Sequence, residues 1–223
     1  MNNSICANID RISQQIPPST RLIVVSKQAS VAQIRLAYST GVRDFAENRL
    51  QDALAKQEQL QDLPDICWHF IGHIQSKKAK KIIQHFRWIH SVDSLKLAQR
   101  LDRLAAELSL SPKACLQVKV LNDPDKYGWH PTELWADLPE LDRLQHLQIC
   151  GLMTILPLGL SEEETLSAFK KLKSLADEIK QQAPSHLEMK ELSMGMSGDY
   201  KWAIQAGATQ IRLGRIIFGE RSK

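Results

Sequence analysis

The stretch RLIVVSK, residues 21–27, has the pattern of a β-strand that is buried on both faces. Four aliphatic residues follow one another at positions 22–25, and the run ends with Ser26 and Lys27. Strands of parallel sheets have such continuous apolar runs because helices cover both faces of the sheet. A charged amine is costly to bury without a partner, so Lys27 at the end of this strand requires a role.

Short segments of β-strand type recur along the chain and alternate with longer helical patterns. They lie at residues 42–48, 66–72, 88–93, 114–121, 147–155, 186–194 and 209–214. Strands that alternate with helices indicate parallel βαβ units, and eight units in about 200 residues predict a (β/α)8 barrel. We expect one such TIM-barrel domain over residues 1–223. An open doubly wound sheet would also alternate, but no GxGxxG motif follows the first run.

Two further segments have clear helical patterns. Isoleucines at positions 5, 9, 12 and 16 repeat at helical spacing and predict an extra helix over about residues 4–16, before the first strand. The segment 161–182 begins with a serine and three glutamates and then becomes rich in lysine. This order suits the N-cap and the dipole of a helix that begins near residue 161.

The composition is that of an ordinary soluble globular protein, with 43% hydrophobic and 24% charged residues. The net charge of +4 is too small to indicate nucleic-acid binding. No apolar run approaches the roughly 20 residues that span a bilayer, and the N-terminal segment lacks the continuous apolar core of a signal peptide. We therefore expect a cytoplasmic protein that binds neither membranes nor nucleic acids.

The cysteines and histidines do not form a recognisable metal motif. No two of the four cysteines form a CxxC pair, and those at positions 67, 115 and 150 lie in apolar runs, where we expect reduced thiols in the core. His69 and His73 are four residues apart, but WHFIGH has the pattern of a strand followed by a turn, so the two rings would not share a helix face. We expect no zinc site.

A barrel of this kind carries its functional groups where its strands end. Polar and glycine residues collect at the predicted strand ends, namely Lys27, Glu47, Asn48, Gly72, His73, Asp93, Thr154, residues 193–197, Arg212, Gly214 and Arg215. Low-dielectric walls at the mouth of a barrel lower the pKa of an amine, which then condenses with an aldehyde or ketone as a Schiff base. The alternative for Lys27 is a lysine that extends to the rim with no special role.

Two glycine-containing loops predict a phosphate site near this lysine. Gly195 and Gly198 flank Ser197 in SMGMSGDY, residues 193–200, and Gly214 follows the eighth strand in IRLGRIIFGER, residues 211–221. The loops after strands seven and eight often bind phosphate in such barrels. A phosphate site that faces a reactive lysine indicates a phosphorylated aldehyde such as pyridoxal 5'-phosphate (PLP). The main alternative is a lysine-dependent aldolase that acts on a sugar phosphate.

A basic segment stands outside this pattern. IGHIQSKKAKKIIQHF, residues 71–86, contains Lys77, Lys78, Lys80 and Lys81 near the start of a predicted helix. Basic residues at that end oppose the helix dipole, so helix stability does not explain them. They form either a solvated helix face or a patch for an anionic partner.

Taken with their order, these motifs resemble the family of pyridoxal phosphate homeostasis proteins. The resemblance is carried by VVSK (24–27), FAENRLQ (45–51), WHFIGHIQSKKAK (68–80), HSVDS (90–94), CGLMTI (150–155), LSMGMSGDYKWAIQAGATQIRLG (192–214) and IFGER (217–221). It implies a barrel like the N-terminal domain of alanine racemases, the fold type III PLP enzymes. It also implies that Lys27 carries PLP as an internal aldimine.

The resemblance implies roles for further residues. Asn48 would lie near the cofactor ring, Ser197 and the backbone around Gly214 would hold the phosphate, and Arg212 would face the pyridine nitrogen. An arginine has no acceptor atom, and its charge disfavours protonation of that nitrogen, so the ring would be a weak electron sink. Racemases also have an arginine there. Arg215 stands where the family usually has Ser or Thr, which removes a hydroxyl contact to phosphate but adds a guanidinium.

The resemblance further implies a role in vitamin B6 homeostasis and in amino-acid and keto-acid balance, without robust catalysis. Fold type III enzymes add a second, β-rich domain, and we expect none here because the sequence reaches Lys223 soon after the eighth strand. We expect a monomer that contacts PLP-dependent apo-enzymes or a regulatory protein transiently. The alternative is an enzyme, such as an amino-acid racemase or decarboxylase, that uses the same aldimine.

Overall fold

A closed barrel of eight parallel strands forms the centre of the computed structural model, which describes residues 2–182 and 186–219. The strands are β1 (Arg21–Val25), β2 (Asp44–Glu47), β3 (Cys67–Phe70), β4 (Trp88–Val92), β5 (Lys113–Gln117), β6 (Gln148–Met153), β7 (Glu191–Ser193) and β8 (Gln210–Leu213). Strands that follow one another in the chain also pair with one another in the sheet, and β8 pairs with β1 to close the barrel. The predicted (β/α)8 barrel is confirmed.

The described residues form nine α-helices and one 3-10 helix around these strands. They are α1 (Asn2–Ser13), α2 (Val31–Ser39), α3 (Leu50–Gln59), the 3-10 helix (Ser76–Lys78), α4 (Ala79–His85), α5 (Leu95–Glu107), α6 (Pro131–Leu141), α7 (Glu162–Gln182), α8 (Tyr200–Gln205) and α9 (Arg215–Phe218). Within this described part of the chain, no helix combines the length and the apolar character needed to cross a bilayer.

The two helices predicted from sequence patterns are present. α1 precedes the barrel and packs against α2 and α9, and its residues Ile5, Ile9 and Ile12 are buried, although the helix ends before Ile16. At the start of α7, Ser161 Oγ accepts a hydrogen bond from the N–H of Glu164, and the Glu164 carboxylate accepts one from the N–H of Ser161. This reciprocal cap confirms the predicted helix start.

Strand β7 is much shorter than the predicted run 186–194. Met189 has a φ of 43°, a left-handed conformation that an extended strand cannot contain. The N–H of Lys190 still donates to the carbonyl oxygen of Cys150 on β6, at 2.8 Å. The segment therefore stays against the sheet, but the regular strand begins only at Glu191.

The core has two layers, which the alternation of side chains along the strands explains. Val24 packs in the large cluster that includes the surrounding helices, whereas Ile23 and Val25 belong to a separate small cluster with Ala46. Residues two positions apart on β1 therefore face the interior of the barrel. A second small cluster contains Trp88, Cys115, Cys150 and Met153.

The cysteines agree with the expectation of reduced thiols. Cys115 and Cys150 are buried, Cys6 and Cys67 are half-buried, and all four are free. The last two residues of the IFGER motif, Glu220 and Arg221, lie outside the described residues.

Candidate functional site

Lys27 lies directly beyond the carboxyl end of β1. Ser26 continues the sheet for one residue, since its N–H donates to the carbonyl oxygen of Ala46 at 3.0 Å. Gln28, at a φ of 69°, then turns the chain away. Because Ile23 and Val25 face the interior, the same alternation directs the half-buried Lys27 towards the mouth of the barrel.

A buried ion pair supports the end of β1 from the helix side. The Glu47 carboxylate, which is fully buried, accepts hydrogen bonds from Lys56 Nζ at 2.8 Å and from Ser26 Oγ at 2.7 Å. Lys56, on α3, also donates to the carbonyl oxygen of Ser26. Glu47 therefore does not join the polar face of the mouth, although its place at a strand end predicted that it would.

The loops after β7 and β8 lie side by side. The N–H of Arg212 donates to the carbonyl oxygen of Gly195 at 2.9 Å, and the N–H of Ile216 approaches Ser197 Oγ at 3.4 Å. Gly195 has a φ of 92°, and a Cβ there would lie 2.6 Å from the Ala203 methyl, so only glycine fits. The structure thus brings together the two halves of the predicted phosphate site.

Closure of the barrel places these loops beside β1. Val24 pairs with Leu213, and a Cβ on Gly214 would lie 3.1 Å from the carbonyl oxygen of Val25. The backbone after β8 therefore passes close to the strand end from which Lys27 follows. A side chain at position 214 would occupy part of this narrow space.

The remaining predicted residues occupy distinct places around the mouth. Asn48 is half-buried directly after β2. A Cβ on Gly72 would lie only 2.1 Å from the carbonyl oxygen of Asn48, so only glycine fits at this position of the loop after β3. Arg215 begins α9 with an exposed side chain. Its backbone lies at the predicted phosphate site, whereas its side chain is exposed on the surface.

Arg212 is buried near the end of β8. Its guanidinium donates to Ser193 Oγ at 2.6 Å and to the carbonyl oxygen of Thr154 at 2.9 Å. Burial lowers the pKa of Arg212 to about 10, although the charges of Asp199 and Cys115 act in the opposite direction. The group therefore carries its positive charge at neutral pH, inside the barrel.

The other side of the mouth contains a stacked aromatic pair. The rings of His73 and Tyr127 stack with their centroids 3.8 Å apart, and His73 Nδ1 lies 3.0 Å from an oxygen of Asp93. These contacts join the loop after β5 to those after β3 and β4. Tyr127 is more than half exposed, so the pair forms part of the rim.

Two fully buried histidines, His69 and His90, pair inside the barrel, which the sequence did not predict. His69 Nδ1 lies 2.9 Å from His90 Nε2, and His90 Nδ1 lies 2.7 Å from Ser193 Oγ, the same oxygen that Arg212 contacts. At the other end, His69 Nε2 lies 2.9 Å from Asp44 Oδ1. A histidine in the middle of an apolar strand run was the available signal, since an imidazole there needs polar partners.

Asp44, Cys67 and His69 form a compact group at the amino ends of β2 and β3, with their donor atoms within 4.8 Å of one another. His69 Nε2 already contacts the Asp44 carboxylate without an ion between them. The absence of a zinc site stays a prediction.

The chain matches known proteins over almost its whole length. The family model described as "Alanine racemase, N-terminal domain" matches residues 2–222. A Synechocystis protein named pyridoxal phosphate homeostasis protein is 55% identical over 206 residues, which are 92% of this chain and 94% of that one.

Solved structures give the same picture. The structure of PipY from Synechococcus elongatus PCC7942 with PLP bound is 53% identical, with a TM-score of 0.93, and the match covers 96% of this chain and all of PipY. An alanine racemase from Clostridium difficile, 17% identical, has a TM-score of 0.80 over 99% of this chain and 58% of its own length. This second likeness concerns the fold alone.

Proposed function

Because the chain belongs to the family of pyridoxal phosphate homeostasis proteins, we propose that it binds PLP at the carboxyl end of its barrel. Its role would be vitamin B6 homeostasis and the balance of amino acids and keto acids, without robust catalysis. One observation carries this proposal: the loops after β7 and β8 meet each other beside the end of β1, from which Lys27 follows.

The residues present fit a phosphorylated aldehyde. The Ser197 hydroxyl lies 3.4 Å from the N–H of Ile216, so this hydroxyl and the backbone N–H groups from Gly214 to Ile216 would together bind the phosphate. Such sites suit phosphate because several donors converge on one anion. The Arg215 guanidinium adds positive charge nearby, in place of a hydroxyl contact.

Lys27 is the covalent attachment point in this proposal. The aldehyde that PLP supplies condenses with the Lys27 amine to a Schiff base, with release of one water molecule. The chain contributes the position of the amine, since β1 directs it into the mouth. The Glu47–Lys56 pair and Ser26 hold the strand end in place behind it.

Arg212 and Asn48 would contact the ring. Arg212 lies on the interior face of the barrel and has only N–H donors, so it would donate to an unprotonated pyridine nitrogen. A cation at that place disfavours a protonated ring, which makes the site better suited to holding PLP than to stabilising carbanions. Asn48, after β2, would lie near the ring on the side of Lys27.

We further propose that the protein is a cytoplasmic monomer that buffers PLP and passes it to PLP-dependent apo-enzymes, or contacts a regulatory protein transiently. An open mouth suits reversible uptake, because the ring of a bound ligand would remain close to solvent. The names of the relatives, which refer to homeostasis and not to a reaction, support this role.

The test is uptake of PLP by purified protein. The wild type should become yellow with PLP, and borohydride reduction should attach the cofactor to the peptide that contains Lys27. Lys27→Ala should stay colourless, whereas Lys80→Ala, which removes an exposed lysine of α4, should bind normally. A wild type that stays colourless with added PLP, or a label on another lysine, would overturn the proposal.

The absence of robust catalysis is tested separately. Loaded protein is incubated with each common amino acid, and the enantiomers, amines and keto acids are measured against free PLP. We expect no more turnover than with free PLP. Sustained formation of one enantiomer would support an amino-acid racemase instead.

A further inference from the structure

A chain of hydrogen bonds runs through the interior of the barrel from Asp44 to Arg212. Its links are Asp44 Oδ1 to His69 Nε2 (2.9 Å), His69 Nδ1 to His90 Nε2 (2.9 Å), His90 Nδ1 to Ser193 Oγ (2.7 Å) and Ser193 Oγ to Arg212 (2.6 Å). It connects the amino end of β2 with the carboxyl half of β8 through β3, β4 and β7.

The Asp44 end determines the direction of every link. An ionised carboxylate can only accept, so His69 is protonated at Nε2 and donates to Asp44. The Nδ1 atom of a neutral His69 then accepts from His90, which is protonated at Nε2. His90 Nδ1 accepts in turn from the Ser193 hydroxyl, and Ser193 Oγ accepts from Arg212, which can only donate. With neutral imidazoles and an ionised Asp44, this is the single arrangement that satisfies all four links.

Burial keeps both imidazoles neutral. Both rings are fully buried, and burial lowers the pKa of His69 and, to a greater extent, that of His90. The charge of Arg212 acts in the same direction on His90. A second buried cation beside Arg212 would be costly. Asp44, in contrast, keeps part of its side chain exposed and is ionised at neutral pH.

We propose that Asp44 is a positioning residue for Arg212, acting through His69, His90 and Ser193. The carboxylate at the amino end of β2 sets both tautomers, so that Ser193 Oγ always presents a lone pair to the guanidinium. Arg212 is thereby held in one orientation, and its charge is partly compensated along the chain. This inference rests on the proposed function, in which Arg212 faces the pyridine nitrogen.

Other ionisable groups surround the chain and must be distinguished from it. Asp199 and Cys115 act on Arg212 through space. Arg21, Cys67 and Glu191 act on Asp44 or His69. None of these five side chains is a link of the hydrogen-bond chain. The through-space effects of these five groups on Arg212, Asp44 and His69 would therefore persist when the hydrogen-bond chain is interrupted. An effect of Asp44 that is transmitted by the hydrogen bonds would be lost.

The first test uses the protein without cofactor. In ¹⁵N-labelled wild type, NMR should show His69 and His90 protonated at Nε2 and unprotonated at Nδ1. Asp44→Asn should raise the Nδ1–H population of His69, whereas Asp177→Asn, in an exposed ion pair on α7, should change neither ring. An Nδ1–H tautomer or a doubly protonated ring in the wild type at neutral pH would overturn the proposal.

The second test uses protein loaded with PLP. Asp44→Asn leaves the charge of Arg212 less compensated. The visible absorbance of PLP bound to Lys27 changes with pH, and the midpoint of that change should fall by about half a pH unit. In a His90→Gln background, which interrupts the chain, Asp44→Asn should cause no further shift. Equal shifts in both backgrounds would show a through-space effect and overturn the proposal.

The two proposals fail in different ways. If the wild type takes up no PLP, the proposed function fails, and the tautomers in the unloaded protein still decide whether Asp44 orders the chain. If PLP binds normally and Asp44→Asn changes neither the imidazole signals nor the absorbance midpoint, only the positioning role fails.

Discussion

The Nζ atom of Lys56 lies 2.8 Å from Oε1 of Glu47, in an ion pair that is almost entirely removed from solvent. The pair joins α3 to the carboxyl end of β2, and Lys56 also donates to the carbonyl oxygen of Ser26, directly after β1. A buried charge whose partner is removed keeps its cost of desolvation. This pair therefore holds the segment that positions Lys27.

Loss of this pair should destabilise the protein. Lys56→Met leaves the Glu47 carboxylate buried without its cation, which should lower the free energy of unfolding by about 3–5 kcal/mol. Lys173→Met, which breaks an exposed pair with Asp177 on α7, should cost less than about 1 kcal/mol. Urea unfolding followed by circular dichroism measures both. Similar midpoints for the two variants would contradict the structural role of Lys56.

Two glycines of the proposed phosphate site should respond differently to alanine. A Cβ at Gly214 would lie 3.1 Å from the carbonyl oxygen of Val25, whereas a Cβ at Gly198 meets no atom within 4 Å. Gly214→Ala should therefore weaken PLP binding by about tenfold, since the loss of one well-placed contact is worth roughly 1.4 kcal/mol. Gly198→Ala should bind like the wild type. Titration with PLP followed by absorbance compares them, and equal affinities would argue against a tight loop at Gly214.

The free energy of unfolding should depend on pH through the two buried histidines. Their pKa values are lowered in the folded state, so between those values and the unfolded value of about 6.5 the unfolded chain binds more protons. Stability should therefore fall as the pH decreases below 6.5, by up to about 1.4 kcal/mol per unit for each ring. Between pH 7.5 and 5.5, the two rings together should therefore cost at most about 3 kcal/mol, the limit for two rings that both stay neutral.

Variants identify the source of this dependence. His90→Gln should remove at least half of the loss, because the pKa of His90 is lowered more than that of His69. It also lowers stability at every pH because Ser193 and His69 lose a partner. His146→Gln, at an exposed position, should keep the wild-type dependence. Denaturant midpoints at both pH values measure it. A wild type with equal stability at pH 7.5 and 5.5 would contradict neutral buried imidazoles.

The interior cysteines should resist alkylation in the folded protein. Burial raises the pKa of Cys67 and of Cys150 to about 11 each, and raises that of Cys115 still further. Because the thiolate is the reactive form, iodoacetamide at pH 7.5 should label these three positions slowly, and Cys115 most slowly. Mass spectrometry of peptides with and without urea checks this. Fast labelling of Cys115 in the native protein would show that the barrel interior opens.

The local sequence was sufficient to predict the barrel. The predicted strands are short segments with several apolar residues, and they alternate with longer segments of helical periodicity, so neighbouring side chains already indicate the elements. The start of β7 was the exception, because nothing in segment 186–194 predicts that Met189 adopts a left-handed conformation. Lys27 could be identified because a charged residue at the end of an apolar run is conspicuous in the sequence.

The sequence by itself determined the eight strands, their order and the residues at their ends, because these depend on contacts between near neighbours. The tertiary structure alone decided which ends meet: closure of β8 on β1 places Gly214 beside Val25. The tertiary structure also places Glu47 beside Lys56, and it brings His90 into hydrogen-bond contact with Ser193, 103 residues later in the chain. Such contacts arise only when the barrel closes, since only then do buried polar groups find the partners that compensate for their desolvation.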